Sequence, residues 1–178
     1  VTGVQTCALP ISVARTTLGL FPASMEISNI TGFLYCVNFN LHGSMKPSNV
    51  SVVDPETMTE ITKITTGSMP HGSRLSPDGL FQYSVAMMSG ELFEIDALDL
   101  KVSRVLNLEK KMMNDKKMDG KMMNHDNMKG KMMSNDKKEN MMKSMGDMKH
   151  SMVKPTWVIP HPKQNIAYIA GNGSDEVI

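Results

Sequence analysis

Three stretches of this chain repeat one spacing, and that spacing constrains the fold more than any other feature. In PASMEISNITGFLYCVN (22–38), PHGSRLSPDGLFQYSVA (70–86) and PTWVIPHPKQNIAYIAG (155–171), a proline stands 13 residues before a tyrosine. The pairs are Pro22 and Tyr35, Pro70 and Tyr83, and Pro155 and Tyr168. Each tyrosine lies in a short β-prone run, and a turn signal precedes each run: NITG, SPDG or HPKQN. Pro, Gly, Asn and Asp end strands because they set special backbone angles or bond their own backbone.

Further strands follow each tyrosine. Val50–Asp54 and Glu91–Asp96 are apolar runs that end on Asp. Beyond a turn come EITKITTG (60–67) and KVSRVLNL (101–108), with imperfect alternation at Ile61 and Ile64 and at Val102, Val105 and Leu106. Tyr35 and Tyr83 are 48 residues apart, and Tyr83 and Tyr168 are 85 apart. Residues 110–152 form a block of different composition, 43 residues long, and removing it leaves 42. Several short strands recurring every 40–50 residues are expected of β-propeller blades. A sandwich would also carry such strands, but three matched offsets favour a repeat. The predicted fold is therefore all-β, an incomplete propeller of about three antiparallel blades with a disordered Met/Lys-rich insertion. Three blades cannot close a ring, and the chain stops at Asp175–Ile178 where a further strand would begin. The expected divisions are propeller over 13–108, insertion over 109–153 and the start of another blade over 154–178.

The block differs sharply from its surroundings. It carries 11 Lys, 6 Asp or Glu and 2 His, about +5, whereas the rest has 8 Lys or Arg against 12 Asp or Glu, about −4. It has no Val, Ile, Leu, Phe, Trp or Tyr, so it cannot bury enough apolar surface to offset ordering entropy. It spans 13 of the 19 methionines, with Lys-Met-Met at 111–113, 121–123 and 131–133. A step of ten residues at about 100° each turns every Met pair about 80° from the last, so no helical stripe forms. Gly120, Gly130 and Gly146 also oppose a helix.

Thioether sulfur is soft and neutral. It suits Cu(I) far better than Ca²⁺, Mg²⁺ or Zn²⁺, and it needs no deprotonation. The densest candidate set is Met145, Met148, His150 and Met152. This set resembles the Met/His motifs of periplasmic copper-handling proteins. Met122, Met123, His125 and Met128 form a second candidate set. The lysines oppose cation binding, and an inert spacer or a segment adhering to an anionic surface are the competing readings. A basic tract attracts nucleic acid, but aromatics for base stacking are absent, so no nucleic-acid partner is expected.

Elsewhere, Tyr35-Cys-Val-Asn38 resembles the Tyr-Val-Thr-Asn signature of the YVTN-repeat β-propeller family (YncE-like). Val53–Thr57, Thr66–Gly72, Ser76–Gly79, Ala167–Ala170 and Gly173–Val177 are similar to that family as well. The resemblance covers roughly 20–108 and 153–178. It implies a propeller, typically of seven blades, exported to the periplasm or cell surface. The motifs specify the activity poorly; since the residues identify no catalytic acid, base or metal, the expected role is a binding scaffold for metal or protein partners rather than a catalyst. An enzyme of lactonase or haem-oxidoreductase (cytochrome d1-like) type is the alternative, as is a surface protein-interaction scaffold. In related haem and copper propellers, histidines at blade edges serve as ligands, so His71 is a conceivable ligand; a turn-flanking rim residue is the plainer expectation. His42 and His161 are expected in exposed loops. Asp54 and Asp96 are expected to make strand-end hydrogen bonds, and Trp157 to pack between blades. No CxxCH, nucleophile-elbow, Walker or Rossmann pattern is present.

The first residues stand apart. VTGVQTCALPI (Val1–Ile11) resembles the translation of a common sequencing adapter, so residues 1–12 are expected to be non-native and to carry no fold information. Cys7 falls within it. That leaves Cys36, expected as a small buried hydrophobe. No apolar run of about 18 residues is present, so no membrane span is expected in this chain.

Overall fold

The computed structural model describes residues 14–41, 45–109 and 151–178. Its described residues form three antiparallel sheets. The first is β1 (Pro22–Ile27), β2 (Leu34–Asn38), β3 (Pro47–Asp54) and β4 (Thr59–Ser68), paired in chain order. The second is β5 (Pro70–Leu75), β6 (Phe81–Ala86), β7 (Glu91–Asp96) and β8 (Lys101–Asn107), again in chain order. The third pairs β9 (Pro155–Pro160), β10 (Ala167–Gly171) and β11 (Glu176–Val177). The first strands, β1, β5 and β9, lie beside one another. Consecutive meanders packed face to face about their first strands are the blades of an incomplete propeller, as the repeat predicts.

Each repeat proline opens one of these first strands. Proline has no N–H to give a ladder, so the first residue of an edge strand is where it fits. The residue before each, Phe21, Met69 or Lys154, has a positive φ of 56°, 53° or 45°. The chain thus enters every blade through the same left-handed step, which non-glycine residues adopt only when the surroundings enforce it. Two further left-handed residues, Met58 and Leu100, close the turns after β3 and β7.

Side chains alternate across each strand, so each blade presents one face to each neighbour. Tyr35, Val37, Val50 and Val52 share one face of the first blade, since Tyr35 pairs with Val52 and Val37 with Val50. They pack on Ile95 and Ala97 of the second blade. The second blade turns Val85, Tyr83 and Leu92 the other way, where they meet Val158 and Ile169 of the third, together with Leu108. Each fully buried aliphatic side chain contributes roughly 1.5–3 kcal/mol, so the two seams hold the blades together. Tyr35 adds a polar tie, its hydroxyl donating to the Ala97 carbonyl at 3.0 Å. Burial pushes the Tyr35 hydroxyl pKa up. Cys36 is free and buried, as expected.

One expectation needs adjustment. β3 begins at Pro47 rather than Val50, its first residues reaching β4 across a register shift between Pro47 and Asn49.

Candidate functional site

The connections after β2, β4, β6 and β8 all emerge at one end of the sheets. The methionine-rich block leaves from this end, after β8, and the chain rejoins the fold before β9. Both junctions are described, and they meet. The Glu109 carboxylate accepts a hydrogen bond from the Ser151 hydroxyl at 2.6 Å and another from the Val153 N–H at 3.0 Å. Leu108 N–H donates to the Gly90 carbonyl at 2.9 Å, and Ser151 N–H donates to the Met88 carbonyl at 2.9 Å. The Ser151 hydroxyl also accepts from Lys154 N–H at 2.8 Å. Leu108 and Val153 are buried on either side. One carboxylate therefore pins both ends of the block to the edge of the second blade. Hydrogen bonds to a charged acceptor contribute about 1.5–3 kcal/mol when shielded from water.

Of the sequence-predicted ligands, Met152 is described; it is 75% exposed and lies within this clamp. Met122, Met123, His125, Met128, Met145, Met148 and His150 lie outside the described residues, as does His42. Among the described residues, no three His, Cys, Asp or Glu side chains come together as a metal-holding group.

His71 sits at the same end, near the start of β5. Its Nδ1 lies 3.0 Å from the Thr156 carbonyl, so Nδ1 carries the proton and donates. The ring stands edge-on to Phe39, with centroids 4.9 Å apart, and to Trp157, at 5.3 Å. The His71 carbonyl accepts from the Ser24 hydroxyl at 2.9 Å. His71 thus flanks the corner between β4 and β5 from the second position of a first strand, and it ties the first strands of three blades together. Trp157 is part of that tie, as expected of a residue between blades. The neighbouring Gly72 leaves no room for a Cβ against the Thr156 carbonyl and Trp157 backbone, so these strands approach closely here.

The opposite end is built from turns. Asp54 accepts from Glu56 N–H at 2.9 Å and from the Thr57 hydroxyl at 2.8 Å. Asp96 accepts from Leu98 N–H at 2.8 Å and Asp99 N–H at 2.9 Å. The Thr57 hydroxyl most, then the Glu56 N–H, holds the Asp54 carboxyl below its ordinary pKa. The N–H groups of Asp99 and then Leu98 do the same for Asp96. Both aspartates close turns, as their strand-end position predicts. His161 caps the turn between β9 and β10, its Nδ1 accepting from Lys163 N–H at 3.1 Å and Gln164 N–H at 2.9 Å.

A cleft of about 870 Å³ opens between the second and third blades, lined by Tyr83, Glu94, Arg104, Pro160, His161 and Ile178 among others. Two of its charged groups, Glu94 and Arg104, pair with each other. Glu94 accepts from Arg104 at 2.5 Å and from the Ser103 hydroxyl at 2.8 Å.

No helix among the described residues is long and apolar enough to cross a membrane. No protein family profile matches the chain, and no curated protein matches it. Among solved structures, it is similar to the Kuenenia stuttgartiensis hydrazine synthase, at 29% identity over 47% of this chain, with a TM-score of 0.41. It is also similar to the β-propeller domain of Cps50 (Swd1) from Myceliophteria thermophila, at 19% identity over 52% of this chain, with a TM-score of 0.43. The matched regions cover 23% and 26% of those two chains, about a quarter of each.

Proposed function

We propose that this chain is part of an exported YVTN-type propeller scaffold whose methionine-rich block binds or buffers copper as Cu(I). The observation that supports this reading is the Glu109 clamp. It joins the two ends of the block at one point, so the blades on either side pack as if the block were absent. A segment with no Val, Ile, Leu, Phe, Trp or Tyr has no aliphatic or aromatic side chain to give a core, and its composition is left to serve chemistry. Thirteen thioethers within 43 residues supply a neutral, soft ligand set that selects Cu(I) over harder ions. Met122, Met123, His125 and Met128 are one ligand group. Met145, Met148, His150 and Met152 are the other. Thioethers also keep their affinity in an oxidising compartment, where thiolates would be lost to disulfides, which accords with export.

The test is a competition titration of the intact chain against a chromophoric Cu(I) chelator. The chain should withdraw Cu(I) from the chelator, and replacing the named methionines by leucine should abolish most of that withdrawal. Failure of the unaltered chain to compete would end the reading.

A further inference from the structure

The clamp end of the blades gathers sulfur from elements far apart in sequence. Seven methionines lie among the described residues, and five of them stand at this end: Met45, Met69, Met87, Met88 and Met152. A relay of hydrogen bonds joins the segments that carry them. The Ser68 hydroxyl donates to the Met45 carbonyl at 3.2 Å. Met88 N–H donates to the Ser68 carbonyl at 3.1 Å, and Ser151 N–H donates to the Met88 carbonyl at 2.9 Å. Met87 N–H donates to the Met69 carbonyl at 2.9 Å. Four connections thus lie side by side, each with a methionine at or next to the contact.

Exposure separates their roles. Met69 is 7% exposed and belongs to the core. Met45 is 38% exposed and Met152 is 75% exposed, while Met87 and Met88 are half-buried. Core packing does not account for thioethers left open to solvent on adjacent connections.

We propose that Met45, Met87, Met88 and Met152 form a soft monovalent metal site on the blades, taking Cu(I) or Ag(I) at the foot of the insertion. A thioether-only set holds a closed-shell soft cation without proton release. The nearby carboxylate of Glu109 is engaged by Ser151 and Val153 rather than open to a cation. The proposal rests on the soft-metal reading above; it shares Met152 with the second insertion group, but Met45, Met87 and Met88 lie on the blades and let the two be tested apart.

The test uses the whole chain and Ag(I), a redox-stable probe, in a calorimetric titration at pH 7 and pH 5. Two variants are compared with the parent. One carries leucine at Met45, Met87 and Met88, and keeps Met152. The other carries leucine at the 12 methionines from Met112 to Met148. Far-ultraviolet circular dichroism checks that both keep the parent fold. The blade variant should lose one metal equivalent, and the insertion variant should retain one. The retained equivalent should bind equally at both pH values, because thioethers do not titrate, whereas histidine ligands with a pKa of about 6.5 would be protonated at the lower one. The proposal is overturned if the blade variant binds as many ions as the parent, if the insertion variant binds none, or if the retained equivalent weakens at pH 5. An insertion variant that binds as many ions as the parent would support the blade site and remove the insertion reading. A parent chain that binds none would remove both.

Discussion

Glu109 shows how much one side chain decides here. Its partners, Ser151 and Val153, are 42 and 44 residues away along the chain. Glu109→Ala leaves the Val153 N–H without its acceptor beside a buried valine, and should lower stability by about 1.5–3 kcal/mol in urea unfolding. Glu109→Gln keeps an acceptor oxygen and should recover part of that loss. Met58 offers the opposite case. It holds a φ of 53° in the turn after β3. A left-handed residue with a Cβ costs about 1–2 kcal/mol, so Met58→Gly should raise the thermal midpoint. The turn aspartates set an acid limit. Asp54 and Asp96 have depressed pKa values in the folded chain, so their bonds stabilise it at neutral pH. That stability is lost as pH falls below the ordinary carboxylate range near 4 and through the lower folded values. Unfolding followed against pH should therefore show a decline there, and the doubly substituted Asp54→Asn, Asp96→Asn chain should show a shallower one.

At the scale of elements, the strands that alternate or run apolar were legible in the sequence. Tyr35, Tyr83 and Tyr168 marked β2, β6 and β10, and the terminal aspartates marked the ends of β3 and β7. The first strands were not legible. PHGSRL and PASMEI carry little alternation, because β5 is held by neighbouring blades as much as by its own sheet and β1 buries none of its residues fully. The left-handed step before each repeat proline was likewise invisible, since Phe, Met and Lys give no local signal for it. The insertion was legible by composition, but the clamp at its base was not, because hydrogen bonds across more than 40 residues leave no spacing to read. Replacing residues 110–150 with a short Gly/Ser linker should leave the three sheets intact. Shortening the loop reduces its closure entropy, so the replaced chain should be more stable by up to roughly 2 kcal/mol. Loss of cooperative unfolding in that variant would show that the block holds the blades together.

The whole molecule is a run of blades with two outward faces. Met25 and Ile27 are exposed on one face of β1. On the far side of the third blade, Ile159 and Tyr168 are exposed directly opposite each other. Apolar side chains grouped on a sheet face favour association. Sedimentation velocity should therefore show an apparent mass that rises with concentration, and Ile27→Lys with Ile159→Lys should suppress the rise. In the proposed reading the blades supply the fold, and the block they hold supplies the metal ligands. The most direct test is Cu(I) titration of the intact chain beside the Gly/Ser-linker chain, with both folds checked by circular dichroism. Both proteins should be folded, with the intact one binding several Cu(I) ions and the linker chain at most one, at the blade site. Equal uptake by the two chains would contradict this reading.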